Sequence, residues 1–164
     1  MADALDLGSS VEIRESSSLS FPTNLYTSFY SEKSMSKYWG YHLMLDCAAC
    51  DKDRIQDAAH ITAFAKDLVK RIDMVAYGEP QVVNFGSGNK AGYTLVQLIE
   101  TSNICAHFCN DTGDVYFDVF SCKPFEPETV QKIVTEYFSP SNTISNFLVR
   151  DASLEQVAGA EITD

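Results

Sequence analysis

In the stretch KYWGYHLMLDCAACD, polar and apolar side chains alternate residue by residue. Trp39, Tyr41, Leu43 and Leu45 fall on one side, and Tyr38, Gly40, His42, Met44 and Asp46 on the other. Side chains alternate across a β-strand, so this pattern predicts a strand that buries its odd-numbered face only. A sheet buried on one side needs a single covering layer. The next segment, DKDRIQDAAHITAFAKDLVKRIDM, supplies one, because its apolar residues change to helical spacing. Ile55, Ala58, Thr62, Ala65, Val69 and Ile72 form a stripe that Ile61, Phe64 and Leu68 widen. Asp51 is the expected N-cap of this one long helix, with acidic residues in its first turn, where the helix dipole favours them.

Strand patterns then recur. PQVVNF reads as a short strand and GSGNKAG as a turn or loop. YTLVQLIET and NICAHF read as two further strands. CNDTGD is a hairpin connection, and VYFDVFSC is the strand after it. EPETVQKIVTEYF is a second helix, with Pro127 in its first turn and Val130, Ile133, Val134, Tyr137 and Phe138 as its stripe. TISNFLVRD is the last strand. The order β-α-β-β-β-β-α-β predicts an α+β two-layer sandwich, a mainly antiparallel sheet with both helices on one face. The other face stays partly uncovered, and a homodimer is the natural way to cover it.

The chain divides into a serine-rich stretch over residues 1–34 (GSSVEIRESSSLSF lies in it), the folded unit over 35–152, and a tail over 153–164. The first is expected to be a flexible extension. Its 164 residues suit one core. A net charge of −11 argues against a nucleic-acid partner, which needs a basic surface. No apolar run approaches the ~18 residues of a membrane helix. The acidic start MADALDLGSS is unlike a secretory leader, so the expected compartment is the cytoplasm. Five cysteines, Cys47, Cys50, Cys105, Cys109 and Cys122, are an odd number and are expected to be reduced thiols. Cys47 and Cys50 form a C-x-x-C without the second pair a zinc site requires, so no metal is expected. GSGNKAG lacks the spacing of a phosphate-binding loop.

The residues that could carry chemistry lie in LIETSNICAHFCNDTGDVYFDVFSC. Here Ser102 closes one predicted strand, His107 lies in the next, and Cys122 ends the one after. Antiparallel neighbours could bring the three together. Singly, each is ordinary: a turn serine, a strand histidine, a cysteine acting as a small hydrophobe. Residue types and spacing alone define no more than a possible nucleophile cluster.

GYHLMLDCAACD resembles the opening strand of the small prokaryotic-type S-adenosylmethionine decarboxylases, with the pattern G-R-H-L-x-x-D-x-x-x-C-D. TSNICAHFCNDTGDVYFDVFSC is similar to that family's E/K-S-H-x-S/T-x-H-T-W/Y-P-E followed by D-V-F-T-C. The intervals from Ser102 to His107 and from His107 to Cys122 match without insertions, and the resemblance runs from about Lys37 to Phe138. It implies a proenzyme that cleaves itself between Thr101 and Ser102 and converts Ser102 into a pyruvoyl cofactor. That group would form a Schiff base with the substrate amine and accept electrons as CO2 leaves. His107 would be the processing base, Cys122 the proton donor to the decarboxylated carbon, and Thr94 an aid to processing. Asp111 would bind the ribose of S-adenosylmethionine and Phe85 would stack on its adenine. The product would feed polyamine and spermidine synthesis.

Three departures stand out. Thr101 replaces an acidic or basic residue, Asn103 replaces a histidine, and HFCND replaces HTWPE. They touch the shell around the substrate more than the residues that make the cofactor. The same chemistry on ornithine or arginine is therefore the nearest alternative. An unprocessed paralogue that binds or activates an active subunit is a further one. The acidic residues Asp51, Asp53, Asp57, Asp67 and Asp73 are expected to be a solvated face.

Overall fold

A computed structural model describes residues 38–153. The proposed extension over residues 1–34 and nearly all of the tail lie outside the described residues. Strand β1 (Gly40–Ala48) leads through a short helix α1 (Lys52–Ile55) into α2 (Ala58–Arg71). Strands β2 (Ala76–Phe85), β3 (Gly92–Ile99), β4 (Ser102–Phe108) and β5 (Val115–Ser121) follow. Helix α3 (Pro127–Phe138) and strand β6 (Asn142–Arg150) complete the described chain. The six strands form one sheet in the order β2-β3-β4-β5-β1-β6, antiparallel at every pairing. This is the expected α+β architecture, and its order is the one the sequence patterns predict.

The alternation in β1 is realised. Tyr41, Leu43 and Leu45 are fully buried. Ile61, Phe64 and Leu68 of α2 and Val130, Ile133 and Phe138 of α3 are fully buried as well. Phe64 and Phe138 lie edge to face at 4.9 Å between ring centroids, and Phe138 also meets Phe108 of β4 at 5.3 Å. Each such fully buried side chain contributes roughly 1.5–3 kcal/mol. Trp39 departs from the expected face. The strand starts one residue later, and Trp39 is 62% exposed, with its ring 5.8 Å from that of Phe120.

The single long first helix is corrected to two. Gln56 closes α1, and Asp57 restarts the chain as a second N-cap, its carboxylate accepting from the N–H groups of Ala59 and His60. Asp51 caps α1 as expected, accepting from Asp53 and Arg54. Two of the five aspartates read as a solvated face are thus helix caps. The Asp57→Ala variant should lose about 1 kcal/mol, seen as a lower midpoint in thermal unfolding. Strand β2 is longer than PQVVNF, because Ala76 and Tyr77 also pair with β3 before an irregularity between Tyr77 and Gln81. GSGNKAG contains one 3-10 turn over Gly88–Lys90. Beyond it Gly92 passes so close to β4 that a Cβ would lie 1.7 Å from the Phe108 carbonyl oxygen. Only glycine fits there, and this fixes the register that sets Thr94 opposite His107.

Candidate active site

The pairing of β3 with β4 ends at Ile99 opposite Ser102, so Glu100 and Thr101 form a two-residue hairpin loop. Such loops favour residues that tolerate positive φ, such as glycine or asparagine. Glu100 and Thr101 are neither, and neither has positive φ; Ser102 takes φ 152° instead. A side-chain-bearing residue in this region costs of order 1–3 kcal/mol. The backbone strain of the turn therefore falls on Ser102.

The Thr101 carbonyl oxygen accepts a hydrogen bond from the Cys122 backbone N–H at 3.0 Å. Cys122 follows the end of β5, where Ser121 pairs with Ser102, and it is exposed. Asn103 Nδ2 donates to Ser102 Oγ at 3.2 Å. A hydroxyl adjacent to a polarised, strained peptide carbonyl is the arrangement an internal acyl transfer requires.

His107 lies elsewhere. It occupies the same strand as Ser102, not the neighbouring one expected from the sequence. Five residues of extended chain put the two Cα atoms about 16 Å apart. His107 instead pairs with Thr94 of β3, with Thr94 Oγ1 and His107 Nδ1 2.8 Å apart. The Phe85 ring centroid is 6.3 Å from that of His107, and Asp111 follows in the exposed turn after β4. The seven residues singled out in the sequence thus fall into two groups at opposite ends of β4. Thr101, Ser102 and Cys122 form one; Phe85, Thr94, His107 and Asp111 form the other.

Asn103, Cys105 and His107 share the sheet face away from the helices. That face also carries Asp118, whose carboxylate is 2.9 Å from His42 Nε2, and Arg150, whose Nη1 is 3.2 Å from His42 Nδ1. Apolar residues surround them: Val83, Leu98, Tyr116, Ile144 and Leu148 are all 45–56% exposed. Burial pushes the thiols of Cys47 and Cys105 up, and that of Cys50 to about 12, so these three are poor sources of thiolate. Sequence reasoning missed Met74, Ser121 and Lys123 at the hairpin. Ser121 carried a signal in its place directly before Cys122, whereas Met74 carried none. Among the described residues there is no cluster of three His, Cys, Asp or Glu side chains poised for a metal.

The fold is a one-sided antiparallel sheet with a strained serine hairpin, and comparison with known proteins identifies its family. Residues 41–151 match the family model for S-adenosylmethionine decarboxylase. The chain belongs to that family. It is 26% identical over 101 residues to the S-adenosylmethionine decarboxylase proenzyme of Clostridium botulinum strain Hall, covering 61% of this chain and 84% of that one. The proenzyme of the Loch Maree strain is 21% identical over 127 residues, covering 77% and 98%. The fold is similar to the crystal structure of the adenosylmethionine decarboxylase from Aquifex aeolicus VF5. The TM-score is 0.61 at 20% identity, over 74% of this chain and 98% of that one. Among the described residues no helix is long and apolar enough to cross a membrane.

Proposed function

We propose that the chain cleaves itself between Thr101 and Ser102, and that the processed protein is a pyruvoyl-dependent decarboxylase of S-adenosylmethionine. The observation that carries this reading is the Cys122 N–H held 3.0 Å from the carbonyl oxygen of Thr101, beside a serine with φ 152°. Ser102 Oγ attacks the Thr101 carbonyl carbon, and the Cys122 N–H stabilises the negative charge that develops on the oxygen. The C–N bond breaks, the hydroxyl proton passes to the Ser102 nitrogen, and an ester joins the two parts. The rearrangement also releases the backbone strain at Ser102. Loss of the Ser102 Cα proton then expels Thr101 as a carboxylate. Water replaces the nitrogen of the resulting dehydroalanine, releasing ammonia and leaving a pyruvoyl group on the second chain.

His107 is the base for the Cα proton. To accept at Nε2 it must carry its hydrogen on Nδ1, and Thr94 Oγ1 at 2.8 Å is positioned to receive that hydrogen bond. The pyruvoyl carbonyl supplies the electron sink that ordinary side chains lack. Asn103 and Cys122 would flank it, and the exposed Cys122 thiol would deliver a proton to the substrate carbon after CO2 leaves. Phe85 offers an aromatic face to adenine, and Asp111 a carboxylate to ribose hydroxyls.

The separation of His107 from Ser102 favours a homodimer. A base must come within hydrogen-bond reach of its proton, and about 16 Å is too far. A two-fold axis through the middle of β4, with the open faces together, would bring the partner's His107 over Ser102. It would also cover the exposed apolar side chains.

A mass spectrum of the purified protein tests the cleavage. Two chains are expected, residues 1–101 and a pyruvoyl-started 102–164. CO2 release from carboxyl-labelled S-adenosylmethionine, ornithine and arginine then tests the substrate. Release from S-adenosylmethionine is expected to exceed the others by a hundredfold or more. A chain that stays whole defeats the processing, and preference for ornithine or arginine defeats the substrate.

A further inference from the structure

We infer that residues 73–75, the segment leaving α2, are a strap that positions the self-cleaving hairpin, and that the Thr101 hydroxyl is where the strap grips. The inference rests on the self-cleavage proposed above. Three consecutive strap residues each hold a different part of the hairpin region. The Val75 carbonyl accepts from the Glu100 N–H at 2.9 Å. Met74 Sδ accepts from Thr101 Oγ1 at 3.2 Å. The Asp73 carboxylate accepts from Lys123 Nζ at 2.6 Å, and its backbone carbonyl is a second acceptor for the same ammonium. Asp73 reaches these partners in a left-handed conformation with φ 56°, an unusual cost for a non-glycine residue.

The contacts close into a ring. Lys123 N–H donates to Ser121 Oγ at 3.0 Å, and Ser121 Oγ donates to Thr101 Oγ1 at 3.0 Å. Thr101 Oγ1 in turn donates to Met74 Sδ, which Ser121 Oγ also approaches at 3.7 Å. Ser121 is fully buried and Met74 nearly so, which strengthens these bonds relative to water. Thr101 is thereby held through its carbonyl by Cys122 and through its side chain by Ser121 and Met74. The peptide plane of the scissile bond cannot turn to relax the strain, which stays on Ser102 with the carbonyl aimed at its donor. The Thr101 hydroxyl and the strap are positioning groups: their side-chain partners are each other, Ser121 and Lys123, not Ser102 Oγ or His107.

The test follows self-cleavage of freshly made full-length protein by mass spectrometry. Thr101→Val keeps the shape and removes the hydroxyl, and should slow cleavage at least tenfold. Thr101→Ser restores the hydroxyl and should cleave within about threefold of the unaltered chain. Met74→Leu removes the sulfur acceptor and should slow cleavage several-fold; a cavity of about 470 Å³ beside Met74 leaves room for the branched side chain. Hydroxylamine cuts the ester but not the peptide bond, so it separates the two chemical steps. A strap that acts on the acyl transfer predicts no build-up of hydroxylamine-sensitive chain in Thr101→Val. Cleavage of Thr101→Val and Met74→Leu at the normal rate overturns the strap, as does a Ser variant as slow as the Val variant. Accumulation of ester in Thr101→Val also overturns it. If Thr101→Val does not fold, Met74→Leu alone decides. An unaltered chain that never cleaves refutes the self-cleavage itself and the strap with it.

Discussion

The Ser102→Ala variant is expected to remain a single chain of about 18 kDa after days of incubation, with no fragment beginning at residue 102. Alanine keeps the backbone but removes the hydroxyl proposed to attack the Thr101 carbonyl. The Cys122 N–H then polarises a carbonyl that has no nucleophile. Hydroxylamine should release nothing, since no ester forms. Cleavage in this variant would move the scissile bond elsewhere. The same variant gives access to the turn strain, because it holds the hairpin uncut. Alanine at φ 152° carries the penalty of serine, whereas glycine adopts this region freely. Ser102→Gly should therefore unfold a few degrees higher than Ser102→Ala. The relief of roughly 1–3 kcal/mol outweighs the 0.5–1 kcal/mol that glycine's flexibility costs. Equal midpoints would show that the hairpin is relaxed and that strain is not part of the cleavage.

The fold was legible because its periodicities are clean. Tyr41, Leu43 and Leu45 mark a strand buried on one face, and two helical stripes are enough to cover one face of six strands. The first helix was less legible. Its apolar stripe continues through Gln56, and what breaks the helix is the Asp57 side chain capping a new start, a local event that apolar spacing does not record. Trp39 misled for a similar reason: the alternation extends to it, but pairing with β6 starts at Gly40, so the ladder does not fix the face Trp39 takes, and its ring goes to Phe120 instead.

The family resemblance singled out candidate site residues, yet their arrangement was not legible in the sequence. Ser102 reads as the end of a strand because ETS looks like the close of YTLVQLIET. The register of Ile99 with Ser102 makes it the beginning of the next strand, which moves it onto the strand of His107. Asn103 replaces a histidine of the family pattern, and it is this chain's contact to Ser102 Oγ. Met74, 27 residues before Thr101, approaches through the exit of α2, a contact that no motif encodes.

A mixture of two inactive proteins should process where neither does alone. The His107→Ala protein alone is expected to lose processing by about 10²- to 10⁴-fold, the range for removal of a general base. The Ser102→Ala protein alone lacks the proposed nucleophile. In a heterodimer of the two, one site combines Ser102 of the His107→Ala chain with His107 of the Ser102→Ala chain, and that site is whole. Co-expressed with different tags and purified through both, the His107→Ala chain should be cut and the Ser102→Ala chain should stay intact. The expectation follows from β4 itself. The strand is paired on both sides, with β3 and β5, so it cannot fold back to bring its own His107 to Ser102. A monomeric site would have to unpair the centre of the sheet, separating fully buried ladder partners such as Ile104 and Gln97. A second copy needs only to cover the open face, where Leu98, Tyr116 and Leu148 are already exposed. An uncut His107→Ala chain in the heterodimer would place the histidine's action within one chain, and the two-fold arrangement would fall.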